Sequence, residues 1–240
     1  MKKTLLVLSI LLILASSGLA NPLCTGGAGL DVYIANYQGF SNACQVGDKL
    51  FYNFGYSGSS VPSGNLPPAS DVAMGPDPGD GFSNPGLIFS VGGFVVFPGE
   101  SMDATIVYSV ATLSGSAIME DYDLIIAGSH TAQPLGLGFG SVTESFSNAP
   151  AGTPLVATVG PDGTAIVSAH ANFVPWVSGT IVTTKIHLES PNSGPFDVVT
   201  ISAIQEHFSE AVPEPYEAIL IGSGLLFFGL FRKRVKYSSN

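Results

Sequence analysis

With 240 residues, 45% of them hydrophobic and 11% charged, the chain holds enough apolar material for a packed core and is unusually poor in charge for a globular protein. Its formal charge is −10, and the basic residues cluster at the two ends, so residues 21 to 212 carry Lys49 and Lys185 against sixteen acids, a net of −14. Such a body repels phosphate backbones, which excludes nucleic acid as a partner.

The first twenty residues, MKKTLLVLSILLILASSGLA, place Lys2 and Lys3 before an apolar stretch from Leu5 to Ala15 and end on small residues at Gly18 and Ala20. That is the layout of a secretory signal peptide removed by signal peptidase. Asn21-Pro22-Leu23 lacks the small residues of a lipobox, so a lipid anchor at Cys24 is rejected. Export puts Cys24 and Cys44 in an oxidising compartment and favours a bridge between them. Two free buried thiols or half of a metal site are the alternatives, although no CxxC or Cys-His pair stands nearby.

Beyond Ala20 the apolar residues recur with period two, and helical periodicity is nearly absent. Lys49 to Tyr56, KLFYNFGY, sets Leu50, Tyr52, Phe54 and Tyr56 on one face, and Met102 to Thr112 does the same with Met102, Ala104, Ile106, Tyr108 and Val110. Further strands are predicted over Gly86–Phe97, Ala117–Ala127, Ser141–Phe146, Leu155–Val159, Thr164–Ala169, Thr180–Leu188 and Phe196–Phe208, giving about nine. Turn formers separate them in VPSGNLPP, GPDPGDG, FPGE, GPDG and SPNSGP, while Ser57 to Asp80 reads as a long surface loop. Short strands with such turns predict an all-β antiparallel sandwich over residues 21–210, with a jelly roll as the alternative.

No catalytic motif stands out in this body. His130, His170, His187 and His207 are far apart and read as strand or loop histidines rather than metal ligands. Neither GYSG nor GFSN fits the nucleophile elbow of a serine hydrolase, and GLGFG at Gly136 to Gly140 lacks the helix that aims amides at a pyrophosphate, reading instead as a flexible loop. Glu120, Asp121 and Asp123 are candidates for paired glycosidase carboxyls, with a solvated strand edge as the ordinary explanation. Asp71, Asp77 and Asp80 are weak calcium candidates, oxygen ligands on a loop that match no EF-hand; no other metal or cofactor is expected. Trp176, Tyr33, Tyr37, Tyr52 and Tyr56 offer faces for sugar rings, or else for core packing.

The chain closes on three parts in direct succession: Val212-Pro213-Glu214-Pro215 within a linker at 211–217, the apolar run AILIGSGLLFFGLF at 218–231, and Arg232-Lys233-Arg234 opening a basic tail at 232–240. Fourteen apolar residues make about 21 Å of helix, a short span for a bilayer core of roughly 30 Å. The basic cluster should hold its end cytoplasmic. This order resembles the PEP-CTERM sorting signal of Gram-negative bacteria, and phrases such as Val46-Gly47-Asp48-Lys49 and Ile204-Gln205-Glu206-His207-Phe208-Ser209 are similar to a recurrent type of PEP-CTERM cargo. The resemblance implies recognition by an exosortase, transient anchoring in the inner membrane facing the periplasm, and then release to the cell surface or the extracellular space. It also implies a cell-envelope or biofilm setting rich in extracellular polysaccharide. The expected role is that of a non-catalytic structural or polysaccharide-interacting protein, the alternative being a secreted carbohydrate-active enzyme working through paired carboxylates.

Overall fold

The computed structural model describes residues 21–77, 84–113, 118–131, 137–148, 154–160, 165–166, 168–191 and 197–211. The expected signal peptide, the sorting linker beyond Ala211, the apolar run at 218–231 and the basic tail lie outside these residues. Among the described residues no helix is long and apolar enough to cross a membrane.

Two seven-stranded sheets pack face to face as an antiparallel sandwich. The strands are β1 (Ala28–Gly29), β2 (Cys44–Val46), β3 (Lys49–Val61), β4 (Val72–Asp77), β5 (Gly86–Val91), β6 (Val95–Val96), β7 (Glu100–Thr112), β8 (Ile118–Thr131), β9 (Phe139–Phe146), β10 (Leu155–Val159), β11 (Ala165–Ile166), β12 (Ser168–Val177), β13 (Gly179–Ser190) and β14 (Val198–Ala211). One sheet runs in the order β11-β10-β9-β13-β7-β3-β2, the other β1-β4-β5-β14-β8-β12, with β6 continuing the β5 side of β14. The core is the period-two face of each sheet turned toward the other. Met102, Ala104, Ile106, Tyr108 and Val110 of β7 are all buried, as the alternation predicts, and they face Leu87 and Phe89 of β5 and Ile204 and Phe208 of β14.

Three expectations are corrected. In KLFYNFGY the buried aromatics are Phe51 and Phe54, while Tyr52 turns outward to meet Phe40, ring centroids 5.6 Å apart. The cause is a bulge between Tyr52 and Gly55, where Asn53 adopts φ 57°, a left-handed conformation asparagine tolerates, and shifts every later side chain by one position. The expected loop from Ser57 to Asp80 instead prolongs β3 to Val61 and then supplies β4, whose Val72 and Met74 are buried. Pro76 hid this strand; it fits because β1 pairs with β4 only opposite Ala73 and Met74, leaving position 76 without a ladder partner on that side. A short helix, α1 (Leu30–Asn36), interrupts the period-two pattern as well: Leu30 and Tyr33, three apart, are buried, and the Tyr33 hydroxyl donates to the Thr25 carbonyl at 2.6 Å.

Cys24 and Cys44 form the expected disulfide. It ties the segment leading into β1 of one sheet to β2 at the edge of the other. Closing a loop of this length removes unfolded-chain entropy on the order of 3 kcal/mol.

Candidate functional site

Charged side chains gather at several places in the sandwich, most of them brought together by the pairing of strands. All four histidines pair with an aspartate: His130 with Asp197 at 2.6 Å, His170 with Asp123 at 2.8 Å, His187 with Asp103 at 2.8 Å and His207 with Asp77 at 3.1 Å. Reading each histidine by itself could not find these partners, because each aspartate lies on a neighbouring strand or loop far away in sequence.

The outer face of the second sheet carries the largest exposed polar array. Asp123 on β8 is flanked by its register partners His207 on β14 and His170 on β12, and one step along, Asp121 is flanked by Ser209 and Asn172. The row continues past β14: His207 and Asp77 both lie opposite Gly86 on β5, where a Cβ would run into the Glu206 backbone, and the two side chains approach to 3.1 Å. Ser209 donates to Asp121, and His170 holds its proton above the ordinary range chiefly through the hydrogen bond to Asp123. One ligand atom each from Asp121, Asp123 and His170 lies within 4.8 Å of the others, an arrangement able to hold a divalent cation or to hydrogen-bond neighbouring hydroxyls of a sugar. Of the acids singled out from sequence, Asp121 and Asp123 therefore share this face, while Glu120 falls at an irregularity of β8, where the register passes from Asp121 directly to Met119, and does not join them. Sequence alone missed His170 and Asn172 because the pairing of β12 with β8 has no sequence signature.

The weak calcium set does not converge. Asp71 precedes β4 and Asp77 is its last residue, six positions or roughly 20 Å along an extended strand; Asp80 lies outside the described residues. Of the sugar-stacking candidates, Tyr33 is buried and Tyr56 donates to the Pro67 carbonyl at 2.9 Å, whereas Trp176 on β12 is 50% exposed. The glycine run at 136–140 is no flexible loop at Leu137 and Gly138, whose amides donate to Asp197 at 3.1 and 3.2 Å. A Cβ at position 138 would stand 2.5 Å from Asp197 Oδ1.

A second carboxyl pair sits in the centre of the core. Glu144 on β9 and Glu206 on β14 are both wholly buried, and Thr184 Oγ1 on β13 lies 3.0 Å from one and 2.9 Å from the other. Tyr108 donates to Glu206 Oε2. The Tyr122 hydroxyl faces the same cluster without closing a good hydrogen bond, so it and Glu144 Oε2 have no partner. Desolvation first, and the mutual repulsion of two carboxylates second, raises Glu144 well above the usual carboxylate range; desolvation likewise raises Glu206. The pair is closed to any polymeric substrate.

At the end of the sandwich, Lys49 on β3 contacts Asp48 at 2.8 Å and Glu210 on β14, its own side chain fully buried.

No family model matches this sequence, and no curated protein matches it. Among solved structures, the chain is similar to the carbohydrate-binding module TmCBM27, described for specific mannan recognition, at 9% identity over 78% of this chain and 97% of that one, with a TM-score of 0.24. A tobacco necrosis virus structure aligns at 12% identity over 37% of this chain and 73% of that one, TM-score 0.16. A GH31 α-xylosidase from Xanthomonas citri aligns at 8% identity over 47% of this chain and 12% of that one, TM-score 0.17. Backbone agreement at this level assigns no function.

Proposed function

We propose that the chain is an exported cell-envelope protein, sorted through its C-terminal Pro-Glu-Pro signal, whose sandwich contacts extracellular polysaccharide without catalysis. The observation that carries the binding role is the exposed array on β8, β12 and β14. Asp121, Asp123, Asn172 and His170 present hydrogen-bonding groups of both kinds on one face, and the same edge strand carries the half-exposed Trp176 in the irregular stretch between Asn172 and Val177. Carboxylates and amides that grip vicinal hydroxyls, with an aromatic face beside them, suit a polymer of neutral sugars. A uronate polymer would be repelled by the acidic body.

The binding test is retention of the sandwich on immobilised neutral glycans, compared with Asp121→Asn/Asp123→Asn and Trp176→Ala variants. Wild type is expected to be retained and each variant to lose retention by about tenfold or more, the effect of losing roughly 1.4 kcal/mol of contact. Equal retention of all three proteins overturns the site, and shortening of the glycan would instead favour hydrolysis by the Asp121–Asp123 pair.

Sorting rests on the three-part tail, in which Pro213 and Pro215 lack the amide donors a continuing helix needs. Replacing Pro213, Glu214 and Pro215 by alanine is expected to leave full-length protein in the membrane fraction of the native host. Normal shortening and release of that variant, followed by immunoblot, would make the tail a plain anchor.

A further inference from the structure

Between residues 21 and 212 the chain has two lysines, and one of them is spent in the interior. Lys49 stands on the first long strand of one sheet with its side chain 0% exposed, which for an unpaired ammonium would cost several kcal/mol. Its Nζ contacts Oε1 of Glu210, which lies 161 positions away and is the last residue but one of β14 in the opposite sheet. Asp48 Oδ1 lies 2.8 Å from the same nitrogen, and the other Asp48 oxygen, Oδ2, is buried without a hydrogen-bond partner. The Leu113 amide donates to the Asp48 carbonyl at 2.9 Å and fixes the backbone that carries this carboxylate. An amine, a carboxyl carbon and a second carboxyl group are thus held together where solvent is largely excluded.

We propose that Lys49 and Glu210 become joined by a side-chain amide, with Asp48 as the proton carrier. Asp48 takes a proton from the Lys49 ammonium, and the freed lone pair on Nζ attacks Cδ of Glu210. In the tetrahedral intermediate the Nζ–Cδ bond is formed; the Cδ–Oε1 bond then breaks as that oxygen receives, through Asp48, the two protons that nitrogen gives up. One water leaves, and nothing is oxidised or reduced. Burial favours the reaction twice. Desolvation pulls the Lys49 amine below its ordinary range, against the opposing pull of Asp48, so that the nucleophilic form is accessible. Preorientation of the two groups in one geometry replaces a bimolecular encounter.

The bond would tie β3 to β14 across the two sheets at the place where the chain passes into the Pro-Glu-Pro segment. Pull applied through that segment would reach Glu210 before it reached the core. The inference does not depend on any sugar being bound.

The test is peptide mapping by mass spectrometry of the full chain purified from its native host, after reduction of the disulfide, so that trimming of either end does not affect the result. There is no arginine between residues 21 and 212, so trypsin should cut the body after Lys49 and Lys185 alone. The expected result is no cleavage after Lys49, and a branched product joining that residue to the peptide that holds Glu210, lighter than its two parts by one water. Lys49→Met and Glu210→Ala should yield separate peptides of full mass, and Asp48→Asn a mixture; Lys185→Met should still show no cleavage after Lys49, with Lys49 and Glu210 in one peptide lighter by one water. These readings are made on denatured protein, so a variant that folds poorly is still informative. Cleavage after Lys49 in wild type with both peptides at full mass would reduce the contact to an ion pair and overturn the proposal. So would a water deficit that persists in Lys49→Met.

Discussion

Raising the pH from about 4.5 through neutrality is expected to lower the stability of this sandwich, whereas most carboxylate-rich proteins lose stability on acidification. The reason is the Glu144–Glu206 pair. Both groups bind protons more tightly in the folded state than in the unfolded one, desolvation being the main cause and charge repulsion the next for Glu144. A carboxyl whose folded pKa is raised stabilises fully below the unfolded value of about 4.5. That contribution is lost as pH rises from there through the folded pKa, at about 1.4 kcal/mol for each pH unit between the unfolded and the folded value. His170, also raised in the folded state, acts in the same direction nearer neutrality, with its effect screened by exposure. The double variant Glu144→Gln/Glu206→Gln keeps the shape of the cluster and removes its protons, so it should flatten the pH dependence that the pair creates. Urea midpoints measured at several pH values, with unchanged slopes, decide the matter. A wild-type midpoint that climbs between pH 4.5 and neutrality, or a double variant with the wild-type profile, would mean that the pair does not share protons in the core.

Truncating Tyr108 is expected to be a costly single change, about 3–5 kcal/mol for Tyr108→Ala. Its ring is wholly buried between the sheets, with Phe54 at 5.8 Å, Phe51 at 6.0 Å and Phe89 at 6.2 Å between centroids, and its hydroxyl is the donor to Glu206. Removal opens a cavity against three rings and leaves a buried carboxyl oxygen without its donor. Tyr108→Phe separates the two effects: it keeps the packing and should cost about 1–3 kcal/mol for the orphaned oxygen alone. Denaturant unfolding of both variants reads the difference, and equal losses would show that the hydroxyl carries the whole effect.

The strands most legible in the sequence are those whose alternation runs unbroken. Leu155–Val159 has the expected bounds, and the expected face of β7 is the buried one. Legibility fails where one residue resets the phase, as Asn53 does in β3, or where a proline stands in a strand with a free side, as Pro76 does in β4. The exposed array was half legible: Asp121 and Asp123 share a face by spacing, but His170, Asn172, Ser209 and His207 come to them through long-range pairing that no local pattern encodes. The buried acids were not legible at all. Glu144 and Glu206 sit at inward positions of strands that otherwise read as ordinary alternation, and a sequence shows that an acid points inward but not that a second acid, a threonine and two tyrosines meet it there.

The place of β14 bears on when this fold can form. Among the described residues it is the last strand, yet it lies in the interior of its sheet, bonded to β5 and β6 on one side and to β8 on the other. Until residues 198–211 have emerged from the ribosome or a translocation channel, the β4–β5 pair and the β8–β12 pair share no ladder, and the other sheet has two unconnected halves to pack against. A nascent chain of this kind cannot close its core before residues 198–211 are available. Its maturation is then timed by the arrival of a single strand rather than by gradual growth of a core, and a chain cut short before residue 198 should be handed to proteases instead of persisting as a partial domain.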